Sequence, residues 1–334
     1  MEPTANKKLK LLYIIDILKE YSDEEHPVSA AEICERLADR GISAERKAIY
    51  NDIENLIFYG YDIIYSRGKK SGYFLASREL ELPEIYLLTD AVQAAGFITA
   101  KKTRELVSKL EGMMSKSQAR ARAKSIYIDY GHKCRNEEIY LSIDTLRHAI
   151  DNGKKVSLLY CNRHIDESRK IVTTEKPLTV SPYALIWMED HYYLVCNNEK
   201  YENLMHLRLD RMKRVAETEE KYRHFSEVCE YTDRFDIADY SAKSFNMFGG
   251  ELTDMELSCK SHLIDQIIDR FGEDIHITGA DGERFTFRVK GLASLGLAGW
   301  IMQFGGDIEV LSPAALRSMI AEKIEHLQKS YEKD

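Results

Sequence analysis

SPYALIWMEDHYYLVCNNEKYENLMHLRLDRMKR, residues 181–214, is the stretch on which the reading of this chain turns. Its apolar and polar positions alternate with the period of two that strands require. Tyr183, Leu185 and Trp187 share one face, Tyr192, Leu194 and Cys196 share another, and His206, Leu207, Arg208 and Leu209 alternate at the end. Glu189-Asp190 and Asn197-Asn198 punctuate the runs, so a short antiparallel meander is expected. Its polar content is unusual. His206 and Arg208 fall on one face and Arg211 follows at the strand's exit. Two guanidiniums beside tyrosines can clamp a phosphate and stack on a base or sugar. The same arginines could instead simply pair with Asp210 and Glu189 on a half-exposed sheet. Spacing alone leaves both readings open.

Around this stretch the composition is that of an ordinary globular protein, with 44% hydrophobic and 31% charged residues, and 334 residues suffice for two to three domains with their own cores. No apolar run reaches the roughly 20 residues that span a bilayer. The N-terminal MEPTANKKLKLLYIIDILKEY has basic residues before an apolar run, but Asp16, Lys19 and Glu20 interrupt it, which predicts an amphipathic helix rather than a signal peptide. Cys34, Cys134, Cys161, Cys196, Cys229 and Cys259 include no CxxC pair, so free thiols and a cytoplasmic location are expected. Cys161 and His164 have a metal-like spacing without a second pair, and no metal site is expected. The net charge of −8 means that any contact with nucleic acid must come from a local basic surface.

Such a surface is legible near the N-terminus. Residues 7–21 predict a helix with Leu9, Leu12, Tyr13, Ile14 and Ile17 on a broad apolar face. Ser29-Ala30-Ala31-Glu32 is a capping box opening a second helix, which runs through Ile33 and Leu37 to stop at Gly41. Ser43 can cap a third, with Ile49, Ile53, Leu56 and Ile57 inside and Arg46, Lys47, Tyr50, Asn51 and Glu54 outside. Helices joined through a Gly turn suggest a helix-turn-helix, whose outer stripe offers donors to phosphates and bases. Tyr61 to Tyr65 and Tyr73 to Leu75 then flank a tip carrying Arg67, Lys69 and Lys70, a β-hairpin placed as the wing of a winged helix. A helical interaction domain with a solvated charged face is the alternative.

SPYAL, YYLV and HLRLDRM resemble the core of WYL domains, with Tyr192-Tyr193-Leu194 in place of the Trp-Tyr-Leu triplet that names the family. ISAERKAIYNDIENL followed by GYDII and GYFL is similar to the winged helix of DeoR-like and WYL regulators. The resemblance implies a small Sm/SH3-like β-barrel that senses nucleic-acid or nucleotide-like ligands and controls an attached DNA reader. It places Tyr183, Tyr193, His206, Arg208 and Arg211 at or beside the ligand. Arg208 and Arg211 match the family's paired arginines; Tyr183 and His206 could equally be hydrogen-bonded barrel residues.

Between reader and sensor, Pro83 suits the first turn of a helix from Ile85 to Phe97 that is apolar at Leu87, Leu88, Ala91, Val92 and Ala95. A second helix follows from Thr103. A helix apolar on more than one face needs partners, and dimerisation supplies them economically. The basic run Lys116 to Lys124 reads as an exposed helix tail or hinge rather than a DNA-backbone or ligand contact. Beyond residue 250 the pattern predicts β-α-β-β-α-β and a last helix capped by Ser312, a ferredoxin-like order resembling the C-terminal extension of WYL regulators.

No nucleophile elbow, Walker A, GxGxxG or HExxH pattern occurs, and neither catalytic residues nor a cofactor are expected. The expectation is an α+β multidomain protein: a winged helix-turn-helix (1–78), a helical connector (79–135), a WYL sensor (136–227), a linker (228–250) and a ferredoxin-like extension (251–334). Its function is expected to be that of a dimeric, ligand-responsive regulator of double-stranded operator DNA, with a single-stranded nucleic acid or nucleotide as effector and no membrane partner. A bifunctional repressor-enzyme or a non-binding dimeric scaffold are the alternatives.

Overall fold

The computed structural model describes residues 9–68, 70–123, 133–188, 190–243, 250–273 and 275–332. The chain forms a mixed α+β architecture in two compact units, Met1–Arg135 and Asn136–Asp334.

In the first unit α1 (Lys10–Tyr21), α2 (Ala30–Ala38) and α3 (Arg46–Tyr59) precede an antiparallel hairpin of β1 (Ile63–Ser66) and β2 (Gly72–Leu75). Ile14, Ile17 and Leu18 of α1 meet Ile33 and Leu37, Ile49 and Ile53, and the hairpin's Ile63 and Leu75 in one core. Burying such side chains supplies the main driving force for assembly. The Ser29 hydroxyl accepts the Glu32 amide at 3.2 Å while the Glu32 carboxylate accepts the Ser29 amide at 2.8 Å, so the box opens α2 as expected. Gly72 is required by packing: a Cβ there would stand 2.6 Å from the Val28 carbonyl carbon.

Three details differ from expectation. Leu12 is 57% exposed and the α1 core face is Ile14, Ile15, Ile17 and Leu18. Ser43 does not cap α3, which begins two residues beyond Ala44, with Glu45 at the N-cap making no side-chain bond. Ile57 is 46% exposed, because Leu56 holds the inner position and each next helical residue turns about 100° away.

The unit continues with α4 (Leu82–Ala94), α5 (Ala100–Glu111) and α6 (Lys116–Ala123). Half-buried Arg78 donates to the Ser22 carbonyl at 2.7 Å and the Met113 carbonyl at 3.0 Å, tying these helices to the core. Two of the three α6 charges are locally used: Lys116 pairs with Glu20, and Arg122 pairs with Asp90 and lies over the Tyr86 ring. On α4, Ile85 and Thr89 are buried whereas Leu87, Leu88 and Ala91 are exposed.

In the second unit α7 (Ile139–Asp151) leads into β3 (Lys154–Ile165), β4 (Ile171–Met188), β5 (His191–Asn197), β6 (Met205–Arg208) and β7 (Met212–Lys221), an antiparallel sheet in the order β6-β5-β4-β3-β7. The meander read from Ser181 onward begins inside a longer strand, since β4 is one strand of 18 residues. Residues 171–180 of β4 pair with β3 and residues 181–188 pair with β5, so the sheet changes partners at Ser181-Pro182. Proline has no amide to donate to a ladder. A 3-10 turn, Leu209–Arg211, joins β6 to β7, and no ladder pairs those two strands among the described residues. The sheet is open, and the closed barrel expected from the resemblance is not formed.

The unit ends with α8 (Ile237–Lys243), β8 (Glu251–Lys260), α9 (Ile264–Phe271), β9 (His276–Ala280), β10 (Arg284–Ala293), α10 (Leu295–Met302), β11 (Ile308–Ser312) and α11 (Ala314–Tyr331). The sheet order is β11-β8-β10-β9, all antiparallel, with Leu257, Phe287, Ile267, Leu297 and Leu316 fully buried between sheet and helices. Ser312 is the last residue of β11, and the N-cap of α11 is Pro313. The expected Ser312 cap is therefore absent.

Candidate functional site

Two polar surfaces stand out from these cores. On α3 the buried stripe Ile49, Asp52, Ile53 and Leu56 leaves Arg46, Lys47, Tyr50, Asn51 and Glu54 exposed on the opposite side. Asp52 is the one acid drawn inward, where Lys10 meets it at 2.6 Å. Tyr50 approaches Tyr73 of the hairpin at 6.4 Å between ring centres, and Tyr65 meets Tyr73 edge-on at 4.9 Å. The aromatic side of the hairpin thus lies beside the outer face of α3. Arg67 at the hairpin tip is exposed, as is Ser43. Lys70 is partly committed, its ammonium standing 2.6 Å from the Glu32 carboxylate of the capping box. Lys69 lies outside the described residues.

The second surface is one face of β5 and β6, where Tyr193 stands directly opposite Arg208 and Val195 opposite His206. The Arg208 guanidinium donates a fork to Asp210, Nε to Oδ1 at 3.0 Å and Nη2 to Oδ2 at 2.8 Å, and its backbone amide donates to the Tyr160 hydroxyl at 3.3 Å. Burial pushes the Asp210 carboxyl up, but the Arg208 fork and charge outweigh it and hold the group below its usual range. The same fork makes Arg208 still harder to deprotonate. His191 lies on the Tyr193 side of β5, 6.2 Å from that ring; burial, with Arg208 and Arg211 nearby, lowers its pKa and keeps the imidazole neutral at pH 7. Arg211 is exposed, and no described residue pairs with it.

Of the residues expected at the ligand, Tyr193, Arg208 and Arg211 therefore gather at the β5–β6 end of the sheet. His206 is half-buried beside them and bonds the Tyr240 hydroxyl of α8 at 2.7 Å through Nε2. Tyr183 is a correction. It is 5% exposed, donates its hydroxyl to the Arg223 carbonyl at 2.8 Å and packs against Tyr222, Phe225 and Phe235. The register shift between Pro182 and Ala184 turns its ring into the interior. His191 is not among the residues expected from the sequence. Its signal is the alternation that puts it two residues before Tyr193, on the same strand face.

The chemistry available is anion recognition. One guanidinium is already filled by a carboxylate that an incoming anion must share or displace; a second is open, and phenol and imidazole rings border both. No group of His, Cys, Asp and Glu side chains among the described residues could hold a metal ion. No helix among them is long and apolar enough to cross a membrane.

Residues 142–217 match the WYL domain and residues 252–328 the WCX domain. The first match contains Tyr183, Tyr193, His206, Arg208 and Arg211. Over 318 residues the chain is 24% identical to an uncharacterised HTH-type transcriptional regulator, YobV, of Bacillus subtilis (strain 168), covering 91% of this chain and 94% of that protein. Among solved structures, proteasome accessory factor B/C (PafBC) of Arthrobacter aurescens is matched at 18% identity with a TM-score of 0.29, over 99% of this chain and 51% of that one. This chain thus spans about half the length of the PafBC structure. A CRISPR Cas-related protein is matched at 12% identity with a TM-score of 0.35, over 97% of this chain and 86% of that one. A WYL domain followed by a WCX domain, in a chain similar along nearly all its length to an HTH-type regulator, makes this protein a member of the WYL-domain transcriptional regulators.

Proposed function

We propose that this regulator is a cytoplasmic homodimer that reads duplex operator DNA with α3 and the β1–β2 hairpin and responds to a nucleotide-like or single-stranded nucleic-acid ligand. In this reading residues 1–78 form a winged helix-turn-helix and 79–135 a connector that pairs two copies. Residues 136–227 form an Sm/SH3-like sensor left open between β6 and β7. After a linker, 228–250, residues 251–334 form a ferredoxin-like extension, for which the β11-β8-β10-β9 sheet order speaks.

The observation that carries the reading is α3 itself. Its inner face is packed against α1 and α2, while Arg46, Lys47, Tyr50 and Asn51 project to solvent where a groove could accept them. Arg67, Lys69 and Lys70 would add phosphate contacts from the hairpin, Lys70 by exchanging Glu32 for phosphate, and Ser43 one more from the helix approach. Exposed Leu87 and Leu88 on α4 supply an apolar stripe for a second copy. At the sensor, Arg208, Arg211 and Tyr193 would hold the anion, and His206 would border it. Tyr183 takes no part.

The test is binding of the purified protein to its own upstream duplex across a salt series, with and without short single-stranded oligonucleotides. R46A/K47A should weaken binding and reduce the slope of log K against log salt by about 0.9 for each phosphate no longer neutralised. R208A/R211A should keep basal DNA binding and lose the oligonucleotide response. Equal loss of basal binding in both variants, with the fold intact, would exclude a separate sensor; no binding of wild type at low salt would exclude the reader.

A further inference from the structure

The two faces of strand β6 look onto different surroundings. His206 and Arg208 point to the site above; Met205 and Leu207 point the other way, into a cleft of about 580 Å³ between β4, β6 and the loop after β5. That size suits a small molecule, since ligand pockets run from about 300 to 1,000 Å³. We propose that this cleft is a second ligand site, taking a small organic anion with a planar body and an N–H donor.

Each part of that description comes from a wall of the cleft. Val180 and Leu207, both nearly fully buried, make an apolar floor. Tyr201 lines the cleft and is 53% exposed as a residue, and its ring offers a surface on which a planar group can stack. Lys176 and Lys200 are exposed in the same lining, and no described carboxylate pairs with either ammonium. Lysine is a compact point charge and accepts phosphate or carboxylate alike. At the inner wall Asn197 has no exposed surface; its amide nitrogen donates to the Tyr201 carbonyl at 2.8 Å and the Asn203 carbonyl at 2.9 Å, while its oxygen has no partner. A buried acceptor left unpaired is costly, and an N–H donor would satisfy it.

The cleft also says what it excludes. Lys155 in the same lining is bound by Glu199 at 2.6 Å and Glu220 at 2.8 Å, so this lysine is already neutralised. Glu199 and Glu220 would repel a polyanion, whereas a single small charge can be matched by Lys176 and Lys200. This site is independent of the sensor reading, because it uses none of the side chains proposed to hold the sensor's anion; Tyr160 alone borders both, through its hydroxyl at the Arg208 amide.

Isothermal titration of the full-length protein with AMP and with indole-3-acetate tests it. Each probe carries a planar ring with an N–H donor, and they differ in phosphate against carboxylate. Saturable binding of either ring probe, with inorganic phosphate alone markedly weaker, supports the site, and the tighter probe identifies the anion. K176A/K200A should weaken binding by about tenfold or more, as removal of charge-assisted bonds implies, with Y201A weaker as well and R208A/R211A unchanged. Both lysines are exposed, so these variants leave the core intact. Failure of both ring probes to saturate, phosphate binding as well as they do, an unaffected K176A/K200A, or abolished binding in R208A/R211A would each overturn the proposal. None of these outcomes bears on DNA binding.

Discussion

Asp210→Asn is the most informative single change at the sensor face, because it removes a charge without removing a shape. The Arg208–Asp210 fork has contacts of 3.0 and 2.8 Å, with 24% and 17% of the two side chains exposed. At an effective dielectric near 20, opposite charges about 4 Å apart attract by about 4 kcal/mol. Desolvation offsets much of this, leaving a net contribution of about 1.5–3 kcal/mol, as for hydrogen bonds to charged groups. Asparagine keeps one acceptor, so D210N should lose stability toward the lower end of that range at pH 7, read as the urea midpoint multiplied by the m-value. The pH dependence has a fixed sign. Asp210 has a depressed folded pKa, so its stabilisation is full above the unfolded carboxylate pKa of about 3.9 and is lost as pH falls through the lower folded value. Wild type and D210N should therefore converge in acid. The substitution also frees the Arg208 fork, and single-stranded oligonucleotide binding should tighten by up to about tenfold, which corresponds to roughly 1.4 kcal/mol. Equal midpoints at pH 7, a gap that persists undiminished in acid, or unchanged oligonucleotide affinity would refute this account of the pair.

His191 gives a second pH-dependent signal. Its folded pKa is depressed, so its contribution to stability is present above the unfolded histidine value of about 6.5 and is lost as pH falls through the folded value. An anion at Arg208 and Arg211 should raise that pKa, so oligonucleotide binding should take up a proton and tighten as pH falls toward the depressed folded value; an NMR titration in which the His191 shift ignores the ligand would place the anion elsewhere. Tyr240→Phe keeps the ring packing on Phe235 at 5.1 Å but deletes the hydroxyl that meets His206. Thermal and urea unfolding should show a loss of about 0.5–1.5 kcal/mol, with a shifted His206 imidazole resonance; no change in either would mean the bond is absent in solution. Gly72→Ala forces a Cβ to within 2.6 Å of Val28 backbone, which should destabilise the first unit by about 1–3 kcal/mol. Gly68→Ala, whose Cβ would have only the Ser66 hydroxyl at 3.5 Å, should stay within about 0.5 kcal/mol in the same melt.

What can be read in the sequence is short in range. The Ser29–Glu32 box is an interaction between residues three apart, and it stands in the fold as spelled. The buried Ile49–Ile53–Leu56 stripe follows from helical period alone, and the exposed residues opposite it follow with it. Period-two alternation locates β5 and β6, but it assumes an unbroken register, and one shift between Pro182 and Ala184 is enough to bury Tyr183. β4 runs through Pro182 and changes partners there, an exchange that alternation alone does not reveal. The bond between His206 and Tyr240 spans 34 residues and leaves no local trace. The arginines are the instructive case. Spacing allows either an ion pair with Asp210 or a clamp for an anion, and the fold contains the ion pair. That does not retire the clamp, because a guanidinium kept charged and oriented by a carboxylate is prepared for an anion that can outcompete it. The function of Arg208 therefore turns on the strength of its neighbour two residues away, a quantity set by how deeply the folded chain buries Asp210.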